Sequence, residues 1–248
     1  MHKHIQSSSQ KEFSGRNQLL DSEVGLAGYN LDIVRKLASG LGINRNDGGP
    51  PDIIEFGAGT GALAEIWRSE FGSDPKCIEI DPELTKILQS KGFKTYVNVE
   101  SMQADILFIY TSNVLEHIED DLSALKTIRK KMKYGGKIAI YVPALPLLFS
   151  DHDRAVGHFR RYKKRELVHK VESAGYEIEK CFYNDCAGVL VSLSVRLFGY
   201  KNKLGQGSQK SLFIYDKYIY PVSKILDRIV FKHVIGKNLF LFAINPNK

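Results

Sequence analysis

The run Glu55-Phe56-Gly57-Ala58-Gly59-Thr60-Gly61 constrains this 248-residue chain more than any other stretch. It follows a short apolar segment, Asp52 to Phe56, with the pattern of a buried parallel strand. It precedes Leu63 to Phe71, which has the pattern of a helix. Glycine is needed in such a turn for two reasons. A Cβ would hold a ligand away from the backbone, and the turn asks for positive φ, which glycine adopts without steric cost. The helix beyond aims its unpaired N–H groups at whatever lies over the loop. Eighteen residues past Gly61, Glu79 ends a second apolar strand, placed to accept the ribose hydroxyls of a nucleoside. A nucleotide-like ligand is therefore expected. Gly57, Gly59 and Ala62 also fit the dinucleotide fingerprint, so the loop alone leaves a nicotinamide-dependent oxidoreductase open.

Strand and helix patterns alternate downstream. Lys76 to Ile80 predicts a strand, and Pro82 opens a helix that Gly92 closes. Asp81, just before that proline, suits a helix cap better than a ribose ligand. Thr95 to Val99 and Asp105 to Thr111 predict the third and fourth strands, the fourth so apolar that it should be central. Asp120 to Met132 carries a helical stripe of Leu122, Leu125, Ile128 and Met132, ended by Gly135 and Gly136. Lys137 to Val142 is a fifth strand, Arg165 to Ala174 a helix, Tyr176 to Tyr183 a strand, and Asn238 to Ile244 the last one. Repeated units of this kind specify a doubly wound, mostly parallel α/β sheet whose ligands sit beyond the carboxyl ends of the strands. Four parts are expected. Residues 1–48 form an N-terminal helical segment with an amphipathic helix from Asn30 to Leu41. Residues 49–186 form the core, 187–236 a basic and aromatic insertion or lid, and 237–248 the strand that completes the core.

Charge is unevenly placed. Residues 1–150 hold 17 Lys and Arg against 19 Asp and Glu, whereas residues 151–248 hold 18 against 9. A basic second half predicts an anionic acceptor, a phosphate-bearing lipid or a nucleic acid, or simply a solvated basic surface. No RNA-binding module is visible in the sequence, so nucleic acid is not the expected partner. In the insertion Lys224, Arg228 and Lys232 fall on one helical face beside Ile225 and Ile229. That pattern suits a lid helix packed on the domain, or a peripheral contact with an anionic membrane. Three cysteines without a CxxC pair suggest neither a disulfide framework nor a zinc site, and no signal peptide or membrane span is apparent. A cytoplasmic location is expected, at most peripheral to the inner face of the membrane.

Three motifs in order narrow the nucleotide reading: Glu55 two places before the first glycine, Ser112-Asn113-Val-Leu-Glu116-His117-Ile-Glu-Asp-Asp121 after the fourth strand, and Lys133-Tyr-Gly-Gly-Lys-Ile-Ala-Ile-Tyr-Val-Pro143 into the fifth. With these the chain resembles the class I S-adenosylmethionine-dependent methyltransferases, from about Asp52 to Tyr183 and more weakly to the final strand. The resemblance implies a Rossmann-like, seven-stranded sheet with helices on both faces and an antiparallel last strand. It implies S-adenosylmethionine as cofactor and S-adenosylhomocysteine as product. It also implies that Glu55 and Gly57, Ala58, Gly59 and Gly61 hold the methionine moiety, Glu79 the ribose, and Ile80 the adenine face. Ser112 and Asn113 would line the cofactor near its sulfonium. Many members carry Asp after the third strand; here Asn98 stands there with Glu100 nearby, so either one, or backbone alone, would meet the adenine edge.

The chemistry of the acceptor side rests on two clusters. An alcohol acceptor would want a general base, for which histidine is best tuned near neutral pH. His117 follows the fourth strand, and Glu116 and His117 would otherwise hold the loop by hydrogen bonds. Some relatives that methylate catechol-like hydroxyls bind a metal through E-x-x-E-H in this region; Asn113 replaces the first Glu, and no metal is expected. The second cluster, Ser150 to Tyr162, follows the fifth strand as an irregular loop. His152 or His158 would be the base, Asp153 would orient it, and Arg160, Arg161 and Tyr162 would clamp an anionic acceptor, unless the loop is merely tied down by Asp–Arg pairs. The loop resembles one in a bacterial methyltransferase subgroup often encoded beside glycosyltransferases, which implies a glycan or glycolipid acceptor and a place in polysaccharide biosynthesis. The leading expectation is methyl transfer to O or N of a polar, possibly anionic, small molecule or glycan. A non-catalytic cofactor-binding scaffold for a membrane or glycosyltransferase partner, and an NAD-dependent oxidoreductase, are the alternatives.

Overall fold

The computed structural model describes residues 25–50, 52–198, 209–229 and 231–246. The first 24 residues of the expected N-terminal segment, and 199–208 within the insertion, lie outside the described residues.

Seven strands form one sheet: β1 (Ile53–Phe56), β2 (Lys76–Ile78), β3 (Thr95–Tyr96), β4 (Ile106–Ser112), β5 (Met132–Pro143), β6 (Glu177–Asn184) and β7 (Asn238–Ile244). Their order is β3-β2-β1-β4-β5-β7-β6, with β7 antiparallel to both its neighbours and every other pairing parallel. This is the expected doubly wound sheet with its antiparallel last strand. From β1 the chain winds outward through β2 to β3, and then returns to β4 on the other side. That reversal opens a crevice over the carboxyl ends of β1 and β4, where the glycine loop and the Ser112–His117 segment emerge.

Successive strand residues face opposite ways, so the sheet buries two separate sets of side chains. Ile54, Ile109, Ile138 and Leu241 pack with Leu125 and Ile128 of α4 (Asp121–Lys131) and Leu167 of α6 (Lys164–Ser173). On the other face Ile53, Tyr110 and Phe240 pack with Val34 and Leu37 of α1 (Ala27–Leu41) and Trp67 of α2 (Ala62–Phe71). The Trp67 and Tyr110 rings stack with centroids 5.2 Å apart. A buried polar cluster also ties α1 to the sheet: the Tyr29 and Tyr141 hydroxyls are 2.6 Å apart, and Asn238 donates to Tyr29 at 2.8 Å. Such a bond would cost more to break than to lack altogether, because a buried hydroxyl would be left unpaired.

Several boundaries differ from expectation for local reasons. β2 ends at Ile78 and β3 at Tyr96, two and three residues early, because their ends turn into the crevice. Asp81 caps α3 (Pro82–Ser90), accepting from the N–H groups of Glu83 and Leu84. Helix α4 gives way to β5 directly at Met132, without using Gly135 or Gly136 as its stop. The segment after β5 is not wholly irregular. Ser150 and Asp153 form a reciprocal capping box, which starts the short helix α5 (Asp151–Ala155). Beyond β6 lie α7 (Cys186–Phe198), then α8 (Gln209–Ile214), which runs through a π-helical turn at Tyr215–Ile219 into α9 (Tyr220–Ile229).

Candidate functional site

The cofactor side of the crevice is built mostly from backbone. Gly57, Gly59 and Gly61 take φ of 76°, 57° and 86°, left-handed values that a side chain rarely tolerates. A Cβ on Gly57 would meet Val114 at 2.3 Å, and one on Gly61 would meet Leu88 at 2.8 Å. The N–H groups of Gly57 and Ala58 donate to the Ile78 carbonyl, which locks the loop to β2. Glu79 completes the lock: one carboxylate oxygen accepts from Gly59 N–H at 2.8 Å and the other from Asp81 N–H at 2.9 Å. Each oxygen keeps a second lone pair for a hydroxyl. Next to it Ile80 is 77% exposed, an apolar surface that lacks a protein neighbour to cover it. Asn98 is exposed and caps its own turn through the Ser101 N–H; Glu100 is exposed nearby.

Glu55 is buried and accepts from the Tyr110 hydroxyl at 3.0 Å, and no cation pairs with it among the described residues. Burial pushes its pKa up to about 8. An ammonium brought close would restore the charged form. Ser112 is half-buried at the end of β4, and Asn113 stands exposed beside it with φ of 54°, a conformation that Asn tolerates better than most residues. The residues thus fit a nucleoside carrying an amino-acid tail: a glycine cradle, a carboxylate with free lone pairs, an exposed aliphatic face and a buried acid without a cation.

The other side of the crevice is built from side chains. Asp153 is fully buried and accepts from Ser150 N–H, the Ser150 hydroxyl, the His158 ring and Arg161. Burial opposes its charge, but these partners hold its carboxyl well below the usual range. His158 therefore pairs with Asp153, at 2.9 Å from Nδ1, while its Nε2 lies 3.8 Å from Glu116. The His117 and His158 rings meet edge to face at 4.5 Å, and burial lowers the His117 pKa to about 4. His152 is half-buried, with its pKa lowered by burial.

The residues of the expected anion clamp already have partners within the domain. Tyr162 is fully buried and donates to Asp121 at 2.6 Å. Arg161 is buried against Asp153. Arg160 reaches Asp121 at 2.9 Å and the Glu119 carbonyl at 2.7 Å. All three hold the loop to the domain, and their donors are directed inward because each meets a buried carboxylate that needs it.

Two features were not legible in the sequence. Glu116 is fully buried and neither carboxylate oxygen has a hydrogen-bond partner among the described residues; burial pushes its pKa up to about 8. Ligand atoms of Glu116, His117 and His158 lie within 4.8 Å of one another, so the three could share a divalent cation. His158 comes from 41 residues beyond His117, and only folding joins it to the pair. The second is Lys237, immediately before β7. Its backbone bridges Ala144 and Asp185, at the ends of β5 and β6. Its ammonium makes no hydrogen bond or ion pair among the described residues and lies 5.9 Å from the Tyr215 ring centre. Burial lowers its pKa, and Asp185, Arg161 and Asp153 act on it electrostatically.

Comparison with known proteins shows the family and the fold. A family described as methyltransferase domain matches residues 27–180. Among solved structures, a SAM-dependent methyltransferase from Archaeoglobus fulgidus has 18% identity and a TM-score of 0.58, covering 92% of this chain and 99% of that one. A SAM-dependent methyltransferase from Thermotoga maritima has 14% identity and a TM-score of 0.59, covering 94% and 96%. A geranyl diphosphate C-methyltransferase from Streptomyces coelicolor has 12% identity and a TM-score of 0.56, covering 86% and 78%. No curated protein sequence matches the chain. With a family match over more than half its length and a crevice that fits the cofactor, the chain belongs to the methyltransferase-domain family, as a class I methyltransferase that uses S-adenosylmethionine.

Proposed function

We propose that the protein transfers the methyl group to an oxygen or nitrogen of a polar, anionic small molecule or glycan. The observation that carries this is Lys237: an ammonium with no hydrogen bond or ion pair among the described residues, at the carboxyl edge of the sheet and electrostatically coupled to Asp153 and Arg161 of the Ser150–Tyr162 loop. A half-buried cation without a counter-charge among the described residues costs free energy, and an acceptor phosphate or carboxylate would recover it.

On this reading Glu55 receives the methionine ammonium, Gly57 to Gly61 the methionine backbone, Glu79 the ribose hydroxyls and Ile80 the adenine face. Asn98 or Glu100 meets the adenine edge, and Ser112 and Asn113 flank the reacting end. S-adenosylmethionine supplies an electrophilic methyl on a sulfonium. The chain's own task is alignment of the acceptor and, for a hydroxyl, removal of a proton. His158 suits that task better than His152 or His117. Asp153 accepts from Nδ1, which leaves the Nε2 lone pair toward Glu116 and the crevice. The 3.8 Å between Nε2 and Glu116 is too long for a direct hydrogen bond, so the base is not already satisfied.

The test is calorimetric titration with S-adenosylhomocysteine, with NADH beside it, followed by acceptor screening in phosphorylated or carboxylated and neutral pairs. Homocysteine-nucleoside binding with turnover of the anionic member supports the proposal. Turnover of the neutral member alone overturns the acceptor class, and tight cofactor binding without turnover favours a scaffold.

A further inference from the structure

A surface helix normally turns its apolar stripe toward the protein. Helix α9 does the opposite. Its buried residues are Tyr220, Ser223 and Asp227, whereas Val222, Ile225 and Ile229 are 53%, 62% and 70% exposed. Polar bonds fix this orientation. Asp227 accepts from the N–H groups of Asp185 and Cys186, Ser223 donates to Asp185, and Tyr220 donates to Asp32 at 2.6 Å. Rotating the helix to hide its isoleucines would break all of them.

The apolar surface continues beyond α9. Phe213, Ile214 and Tyr218 stand half exposed or more on the preceding turns, and Leu190 does so on the neighbouring α7. Of eighteen large apolar side chains exposed among the described residues, twelve fall between 190 and 234, so the exposure is concentrated rather than scattered. Its charge is one-signed. Lys210, Lys217 and Lys224 recur every seven residues and Arg228 follows, all exposed, although Lys224 also pairs with Asp32. The only acids in 209–229, Asp216 and Asp227, both turn inward, Asp216 accepting from the N–H groups of Gly28 and Tyr29. No helix among the described residues is long and apolar enough to cross a membrane.

We propose that the face formed by 209–229 and α7 lies flat on an anionic lipid bilayer. Its isoleucines and aromatics enter the headgroup boundary, and Lys210, Lys217 and Arg228 meet lipid phosphates. An outward surface with cations and no acid complements an anionic bilayer better than it complements a mixed-charge protein surface or a second copy of itself. The helix run also carries Tyr215, whose hydroxyl donates to Asp185 beside Lys237, so the docked face is continuous with the roof of the acceptor side. The proposal does not depend on the acceptor's identity.

The experiment is co-sedimentation of the full chain with vesicles of phosphatidylcholine alone or mixed with phosphatidylglycerol. Partitioning should be at least about tenfold stronger with the mixed vesicles and should weaken with salt. The exposed pair Ile225→Glu and Ile229→Glu should abolish it while S-adenosylhomocysteine affinity stays unchanged, which certifies the fold. Lys217→Glu alone should weaken it by about fivefold or more. Absence of binding by folded protein overturns the proposal, as does binding that the isoleucine pair leaves intact. So does a dimer in sedimentation velocity that the same pair dissociates, since the face would then be a contact between two copies.

Discussion

The two sides of the crevice do similar work with different materials. On the cofactor side, Gly57 to Gly61 and Glu79 form a cradle in which main-chain N–H groups and φ values carry the geometry. On the acceptor side, Asp153, His158 and Arg161 form a network of polar side chains, with Lys237 brought near from a separate element. A backbone cradle needs particular residues at particular spacing, so it leaves a local mark in the sequence. A side-chain network needs only that the right charges converge, and many sequences achieve that.

Breaking each side should therefore fail differently. Asp153→Ala removes the anchor of four donors and leaves Arg161 buried without a counter-charge. Scanning calorimetry should show a loss of about 3–5 kcal/mol, because a buried charge is left uncompensated. An unchanged melting temperature would mean that the loop is held by other contacts. Gly59→Val should instead leave the fold in place and cost at least about a hundredfold in S-adenosylhomocysteine affinity, roughly 2.7 kcal/mol. If titration gives wild-type affinity, the cradle lies elsewhere.

Lys237→Met tests whether the acceptor side reads charge. The KM for an anionic acceptor should rise about tenfold, roughly 1.4 kcal/mol, with cofactor affinity and turnover of a neutral analogue unchanged. Equal effects on both acceptors would reduce Lys237 to a packing role. The smallest effect concerns pH. Glu55 is pushed up to about 8 in the folded protein from an ordinary 4.5, so between those values the folded chain holds a proton that the unfolded chain releases. Stability without cofactor should then fall as pH rises through that window, with Glu116 adding to the same slope. Glu55→Gln should raise the melting temperature at pH 8, leave it unchanged near pH 4, and weaken cofactor binding. A variant with the wild-type pH profile would show that Glu55 ionises freely.

Much of the fold was legible. The strand and helix alternation and the antiparallel last strand both appear in the structure, the last expected through the resemblance to a family. Strand ends at β2 and β3 were placed late because apolar residues such as Ile80 serve an exposed surface rather than the sheet. The acceptor loop was less legible. Arg160, Arg161 and Tyr162 have the composition of an anion clamp, yet each meets Asp121, Asp153 or a carbonyl that the sequence does not place near them. Lys237 went unnoticed because nothing local distinguishes it from any other lysine before a strand.

By itself the sequence determined the period of each element and the glycine cradle, since both depend on neighbours a few residues apart and on what a Cβ permits. Only the tertiary structure decided which carboxylate meets which cation, which way α9 presents its isoleucines, and that His158 joins Glu116 and His117. Those outcomes depend on pairings between residues far apart in the chain, as between Asp32 and Tyr220, 188 positions apart, and are fixed by burial and hydrogen bonding rather than by local pattern.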